Sequence, residues 1–221
     1  MSHDLFDNRK QFQLERMILF SDAVFAIAIT LLVIEIRVPA GLQGDEGVWH
    51  MMQEHIIEFF GVALSFAVIG QFWTNHHRIF GYIIDYDPKL LWLNLHLLFW
   101  IILMPFSSAL NSHYGNLGSV WTIYCFNMLM IGLAMYFIQR YVLNPKRNFA
   151  TIAGNTVMRK TALARSFSIA MIFLVGLILA QFRGDGFFLG SRLIFFLIPL
   201  AIVVTKRMYQ PKPVKKVSRS A

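Results

Sequence analysis

The sequence predicts an all-α membrane protein with six transmembrane helices and both termini in the cytoplasm. Three observations lead there. Hydrophobic residues fill 57% of the 221 positions and charged residues only 14%, against about 45–50% and about 25% in soluble chains. The apolar residues fall in separated blocks, each near the roughly 20 residues that cross about 30 Å of hydrocarbon as a helix. The basic residues are partitioned between the two sides of those blocks. A mean hydropathy of +0.55 argues against a soluble all-α enzyme that hides the same residues in one core.

The blocks are taken in order. The first, 17–36, follows a charged leader and ends at Glu35 and Arg37 without a small-residue cleavage site, so it reads as a retained helix. The second runs over 56–73 with a polar continuation to Phe80, the third over 90–110, and the fourth over 120–138. The fifth covers 163–182 and the sixth 187–205. Pro39, Pro88, Pro145 and Pro211 stand at block edges, whereas Pro105 and Pro199 fall inside the third and sixth blocks and predict kinks. Residues 1–207 form the transmembrane domain in this reading, and the Lys-rich stretch 208–221 a disordered tail at the membrane surface.

Orientation follows from the positive-inside rule. With the N-terminus cytoplasmic, 17 of the 20 basic residues are cytoplasmic, leaving Arg37, Arg183 and Arg192 outside. The net charge of +8 thus reflects topology, and no nucleic-acid partner is expected. The acidic residues Asp45, Glu46, Glu54 and Glu58 fall in the first outer segment and read as a solvated loop, the alternative being a cluster that concentrates cations near an outer mouth. A single cysteine, Cys125, excludes an intrachain disulfide and any cysteine metal cluster. No Asn-x-Ser/Thr acceptor occurs, which favours a bacterial cytoplasmic membrane.

Chemistry concentrates at one membrane depth. Arg16, Ser21 and Asp22 open the first helix. Trp73, Asn75, His76 and His77 close the second, and Asn94 and His96 lie near the start of the third. A carboxylate in a spanning helix costs about 2.5–3.5 kcal/mol on insertion scales, so Asp22 needs a partner. Arg16 lies about 240° away around the helix, so the partners of both must come from other helices. A structural polar network of Arg16, Asp22, His76 and Asn94 is the favoured reading. A metal or proton-relay site built from the same His and Asp groups is the alternative. Further along the first helix, Ile27, Leu31 and Ile34 fall within about 60° of one another, with Thr30 at the margin. Such a stripe faces lipid, packs on a neighbour, or lines a pore. No carbonyl filter sequence, voltage-sensing arginine repeat, phosphate loop or metalloprotease motif occurs, and no nucleophile–base constellation for an enzyme.

Three motifs then carry a resemblance. Arg16-x-x-x-Phe20-Ser21-Asp22-Ala23, the segment Phe72-Trp73-x-x-His76-x-x-x-Phe80, and Leu93-Asn94-Leu95 followed by Met104-Pro105-Phe106 resemble the transmembrane-protein-175 (TMEM175) family. These are lysosomal potassium channels and their bacterial homologues. The resemblance spans the N-terminal half; the last three helices match in hydropathy and helix number alone. It implies a potassium-permeable cation channel rather than an enzyme: a homotetramer of six-helix chains around a pore lined by the first helix. It also implies a hydrophobic gate at Ile27, extended by Leu31 and Ile34, with Thr30 as the polar pore-lining residue. Arg16, Ser21, Asp22, His76 and Asn94 become the structural network, with Trp73, His77 and His96 as further candidates. No cofactor or metal is implied, and the small species is the permeant potassium ion or another monovalent cation. The competing reading is a proton-coupled cation transporter using Asp22 and His76, although the paired broken helices and inverted repeats of such carriers are missing.

Overall fold

The computed structural model describes residues 2–36, 44–182, 197, 200 and 203–205. Within them every regular element is helical: α1 Ser2–Leu31, α2 Gly44–Glu54, α3 Ile56–Phe80, α4 Pro88–Ile102, α5 Met104–Tyr114, α6 Gly118–Val142 and α7 Thr156–Leu179. Four stretches are long and apolar enough to cross a membrane: Arg9–Ile34, Pro88–Tyr114, Gly118–Val142 and Thr156–Leu179. The α2–α3 pair, bent by 55°, makes a fifth if it counts as one span. The expected sixth block, 187–205, the kink at Pro199 and the tail 208–221 lie largely or wholly outside the described residues.

Local chemistry sets the ends. Asp87 is extended at the N-cap of α4 and its carboxylate accepts from Leu90 N–H, with Pro88 occupying the first turn where its missing N–H costs nothing. Asn155 caps α7 in the same way through Met158 N–H. The predicted third helix is broken at Leu103 into α4 and α5, and Pro105 sits in the first turn of α5. Beyond Leu31 the first helix tightens into a 3₁₀ turn, Leu32–Glu35. The loop expected around Asp45, Glu46 and Glu54 is instead helix α2, with the two leading acids in its first turn, where the helix dipole favours negative charge.

α6 is the hub, packing on α7 along its length and on α4 and α5, while α1 lies across α3 and α4. At Gly132 the α6 backbone comes so near α7 that an added Cβ would meet Ala170 Cα at 3.1 Å, a close approach that small residues permit. Trp121, Met128, Ile131 and Ile138 of α6 and Phe173 of α7 fill the interior.

At the end where α3 gives way to α4 and α6 to α7, the two loops pair briefly. Ile84 N–H bonds Phe149 O and Thr151 N–H bonds Tyr82 O, both at 2.9 Å. Asn148 turns that corner in the left-handed region, φ 53°. α1 reaches down to the same end: Lys10 pairs with Asp85 at 3.2 Å, and Tyr86 O–H donates to Gln13 Oε1. This is the basic end of the bundle, carrying Lys10, Arg78, Lys89, Arg147 and Arg159.

Candidate functional site

α1 has two apolar faces with different fates. Leu14, Met17, Ser21, Phe25, Ala28 and Leu32 recur at three- and four-residue spacing and are buried against the chain's own helices. The other face keeps Phe20, Ala23, Ile27, Thr30, Leu31 and Ile34 exposed, Ile27 at 57% and Ile34 at 70%. The Thr30 hydroxyl donates to Ile27 O at 2.9 Å, which turns its oxygen lone pairs away from its own backbone. A helix buried on one side only, with large aliphatic residues on the other, needs lipid or other chains to cover it.

A buried chain of polar side chains ties α1 to its neighbours. Ser21 O–H donates to Met17 O at 2.8 Å, Asn94 Nδ2 donates to Ser21 Oγ at 2.8 Å, and His76 Nε2 donates to Asn94 Oδ1 at 2.9 Å. Ser21, Asn94 and His76 are fully buried. Because Asn94 Oδ1 can only accept, Nε2 of His76 carries a hydrogen, and Nδ1 has no partner among the described residues. Phe80 stacks on the imidazole at 3.9 Å and Phe25 tilts against it at 5.5 Å. One residue on each of α1, α3 and α4 is thereby joined.

Asp22 lies beside this chain, half-buried, accepting from Trp73 Nε1 at 2.9 Å. His77 meets Trp73 ring to ring at 5.3 Å. Arg16 and His96 stand apart. Arg16 is exposed, its guanidinium 5.9 Å from the Phe12 ring centroid, at the rim of a cleft of about 400 Å³ that also touches Asn94, Phe20 and Tyr86. His96 is exposed on another face of α4 and accepts from Trp100 Nε1 at 3.2 Å. Among the described residues no three His, Cys, Asp or Glu side chains converge as metal ligands.

Sequence reasoning passed over other joints. Ser65 and Ser108 hydrogen bond at 2.7 Å between α3 and α5, and Asn127 Nδ2 donates to Ser107 Oγ at 3.0 Å between α6 and α5. Asn75, Ser166 and Gln139 link α3, α7 and α6. The available signal was a lone small polar residue inside an apolar run, the pattern by which membrane helices are tied together. At the basic end Asp87 also accepts from Tyr141 O–H, and Arg147 lies 4.1 Å over the Tyr141 ring. Burial alone would raise the Asp87 carboxyl. The hydroxyl of Tyr141, the Leu90 N–H and the Arg147 charge outweigh it and hold the group below the usual carboxylate range.

Residues 16–105 match the family described as endosomal/lysosomal potassium channel TMEM175. A protein named a potassium channel from Streptomyces collinus is 36% identical over 120 residues, 53% of this chain and 58% of that one. Another potassium channel, from a Chryseobacterium species, is 40% identical over 93 residues, 42% of this chain and 46% of that one. The matched stretch thus spans about half the length of these relatives. A crystal structure of a lysosomal potassium-selective channel TMEM175 homolog from Chamaesiphon minutus superposes with a TM-score of 0.70 at 24% identity, covering 87% of this chain and 98% of that one. That likeness is one of fold. The family so described is one of ion channels, not enzymes, and its multi-pass membrane character agrees with the apolar helices found here.

Proposed function

We propose that this chain, whose residues 16–105 match the TMEM175 family, forms a potassium-permeable cation channel, a homotetramer whose pore is lined by α1. The observation that carries this reading is the exposed stripe Ile27, Thr30, Leu31 and Ile34 on a helix whose opposite face is locked by Ser21. Four copies meeting about one axis would cover that stripe and enclose a narrow apolar passage. The termini lie in the cytoplasm of a bacterial inner membrane in this reading. Residues 1–207 are the channel domain and 208–221 a basic tail.

Ile27 forms the narrowest ring, and Leu31 and Ile34 continue it outward. A dry ring of aliphatic side chains gates by dewetting, and an ion crosses it by shedding part of its water. Potassium releases water more readily than sodium, so a preference for potassium arises without a carbonyl cage. Thr30, whose hydroxyl hydrogen is committed to Ile27 O, offers oxygen lone pairs to an ion just past the neck. Ser21, Asn94 and His76 act as positioning residues: they hold the azimuth of α1, which fixes where Ile27 points. Asp22 is held by Trp73, and Arg16 lies on the exposed side of α1 at the rim of the cleft beside Phe20 and Tyr86. Both titratable groups of the carrier alternative, Asp22 and His76, are engaged in hydrogen bonds within the bundle, and nothing favours that alternative.

The test is Ile27→Cys in liposomes. The sole native thiol, Cys125, is buried, so background reaction is low. A pore-lining thiol at position 27 gives subunit-to-subunit disulfides on oxidation and loss of potassium current with a permeating thiosulfonate reagent. Unchanged current after complete modification would place the neck elsewhere.

A further inference from the structure

A second buried polar cluster, where α3, α6 and α7 meet near the basic end, is short of acceptors and has no negative charge. Arg78 Nη2 donates to Asn75 Oδ1 at 2.7 Å, Asn75 Nδ2 donates to Ser166 Oγ at 3.5 Å, and Ser166 O–H donates to Gln139 Oε1 at 2.9 Å. Those bonds use both amide carbonyls. What remains are donors: Gln139 Nε2 and Arg165 Nε, both buried without a partner. Arg165 is only 9% exposed, and its neighbour Ser166 is joined through Asn75 to the guanidinium of Arg78. Among the described residues no carboxylate pairs with either arginine.

An unpaired cation this deep in a spanning helix is costly, and a helix bundle retains one where an anion or water-filled cavity answers it. Two members of the cluster stand near helix ends on the basic side. Gln139 lies one turn before the end of α6 and Arg78 two residues before the end of α3. α6 and α7 pack along their length while α3 barely touches α7, so the cluster sits at the mouth of the gap between them. Arg140, Arg159 and Lys160, on the same two helices, add positive potential.

We propose that Arg78 and Arg165, with Gln139 Nε2, bind a phosphate group at this gap, supplied by the headgroup of an anionic phospholipid. A guanidinium pair matches phosphate oxygens in geometry as well as charge. The site does not depend on the conduction reading.

Native mass spectrometry of the purified full chain, with phosphatidylglycerol and phosphatidylcholine as probes, tests it. Phosphatidylcholine carries the same phosphate, but its quaternary ammonium meets the same cations, so wild type retains the anionic lipid preferentially. Arg78→Gln, a change at an exposed side chain that leaves folding intact, lowers that retention about five-fold, the effect of one basic contact. Lys146→Gln, an exposed basic residue outside the cluster, leaves it unchanged. Arg165→Lys keeps charge but loses the fork and binds more weakly than wild type. Equal retention of the two lipids by wild type, or an equal loss in Lys146→Gln, overturns the site. Full displacement of the lipid by millimolar inorganic phosphate at matched ionic strength assigns the pocket to a free anion and overturns the lipid source.

Discussion

α1 and α6 are both long apolar helices, yet in its most hydrophobic stretch α1 is 28% buried and α6 61%. α6 is held on nearly every side by α4, α5 and α7, so its position is over-determined by packing. α1 is held on one face by a few aliphatic contacts and by one chain of hydrogen bonds. A hub helix spends its side chains on stability; a helix held on one side has a second face to present elsewhere. The two should respond oppositely to mutation, and that difference can be broken at chosen residues.

The largest effect belongs to α6. Gly132→Leu drives a branched side chain into Ala170, whose Cα would already lie 3.1 Å from a bare Cβ. Neither backbone can yield without separating α6 from α7. Overpacking of this kind costs about 1–3 kcal/mol, occasionally more, and this site should lie at the upper end. Thermal unfolding of the detergent-solubilised protein reads it as a lost or strongly lowered transition. A melting temperature equal to wild type would show that the α6–α7 contact is looser than described.

Next comes the anchor of α1. Asn94→Leu strands the Nε2–H of His76, at about 1–3 kcal/mol for one buried group left unsatisfied, while Ser21 keeps its bond to Met17 O. The double change Asn94→Leu with His76→Phe removes donor and acceptor together and should recover much of that loss. A double variant that folds and still carries potassium current rules out proton relay through His76. Should Asn94→Leu melt as wild type does, the hydrogen-bonded chain does not hold α1.

Much of this contrast was legible in the sequence, and the illegible part has a physical cause. Block lengths located the spans found among the described residues because hydrocarbon thickness is fixed, and Pro105 marked the break at Leu103. The loop read around Asp45 became α2, since first-turn acids favour a helix start as readily as a solvated loop. Which face of α1 is buried could not be read from periodicity, because Phe25 and Leu32 are as apolar as Ile27 and Leu31. Inside a membrane both faces satisfy the same pattern. Ser21, alone and polar, was the usable cue. Two further exclusions were available. His96 is two residues from Asn94, about 200° around α4, so the two cannot share a face. Arg16 is five residues from Ser21, about 140° around α1, on the side of the exposed stripe. Residue type drew both into the candidate network, and helical geometry separates them.

The smallest expected effect sharpens the comparison at the basic end, where α1, α4 and α6 are tied to common loops. Asp87→Ala removes the cap of α4 and the partner of Tyr141, at about 1 kcal/mol. Because the folded carboxyl titrates below its unfolded value, its contribution is fully present above the unfolded pKa, about 4. It is lost as pH falls further through the folded pKa. Wild type should therefore lose stability on acidification below about pH 4 more steeply than the alanine variant. Asp87→Asn separates the two causes, since an amide still caps Leu90 N–H but offers Arg147 no charge. Parallel melting curves for wild type and Asp87→Asn across that range would leave the neutral cap as the whole contribution. A steeper wild-type curve assigns the remainder to the carboxylate charge facing Arg147. α1 would be little affected either way, since it meets this end through Lys10–Asp85 and Gln13–Tyr86 rather than through Asp87.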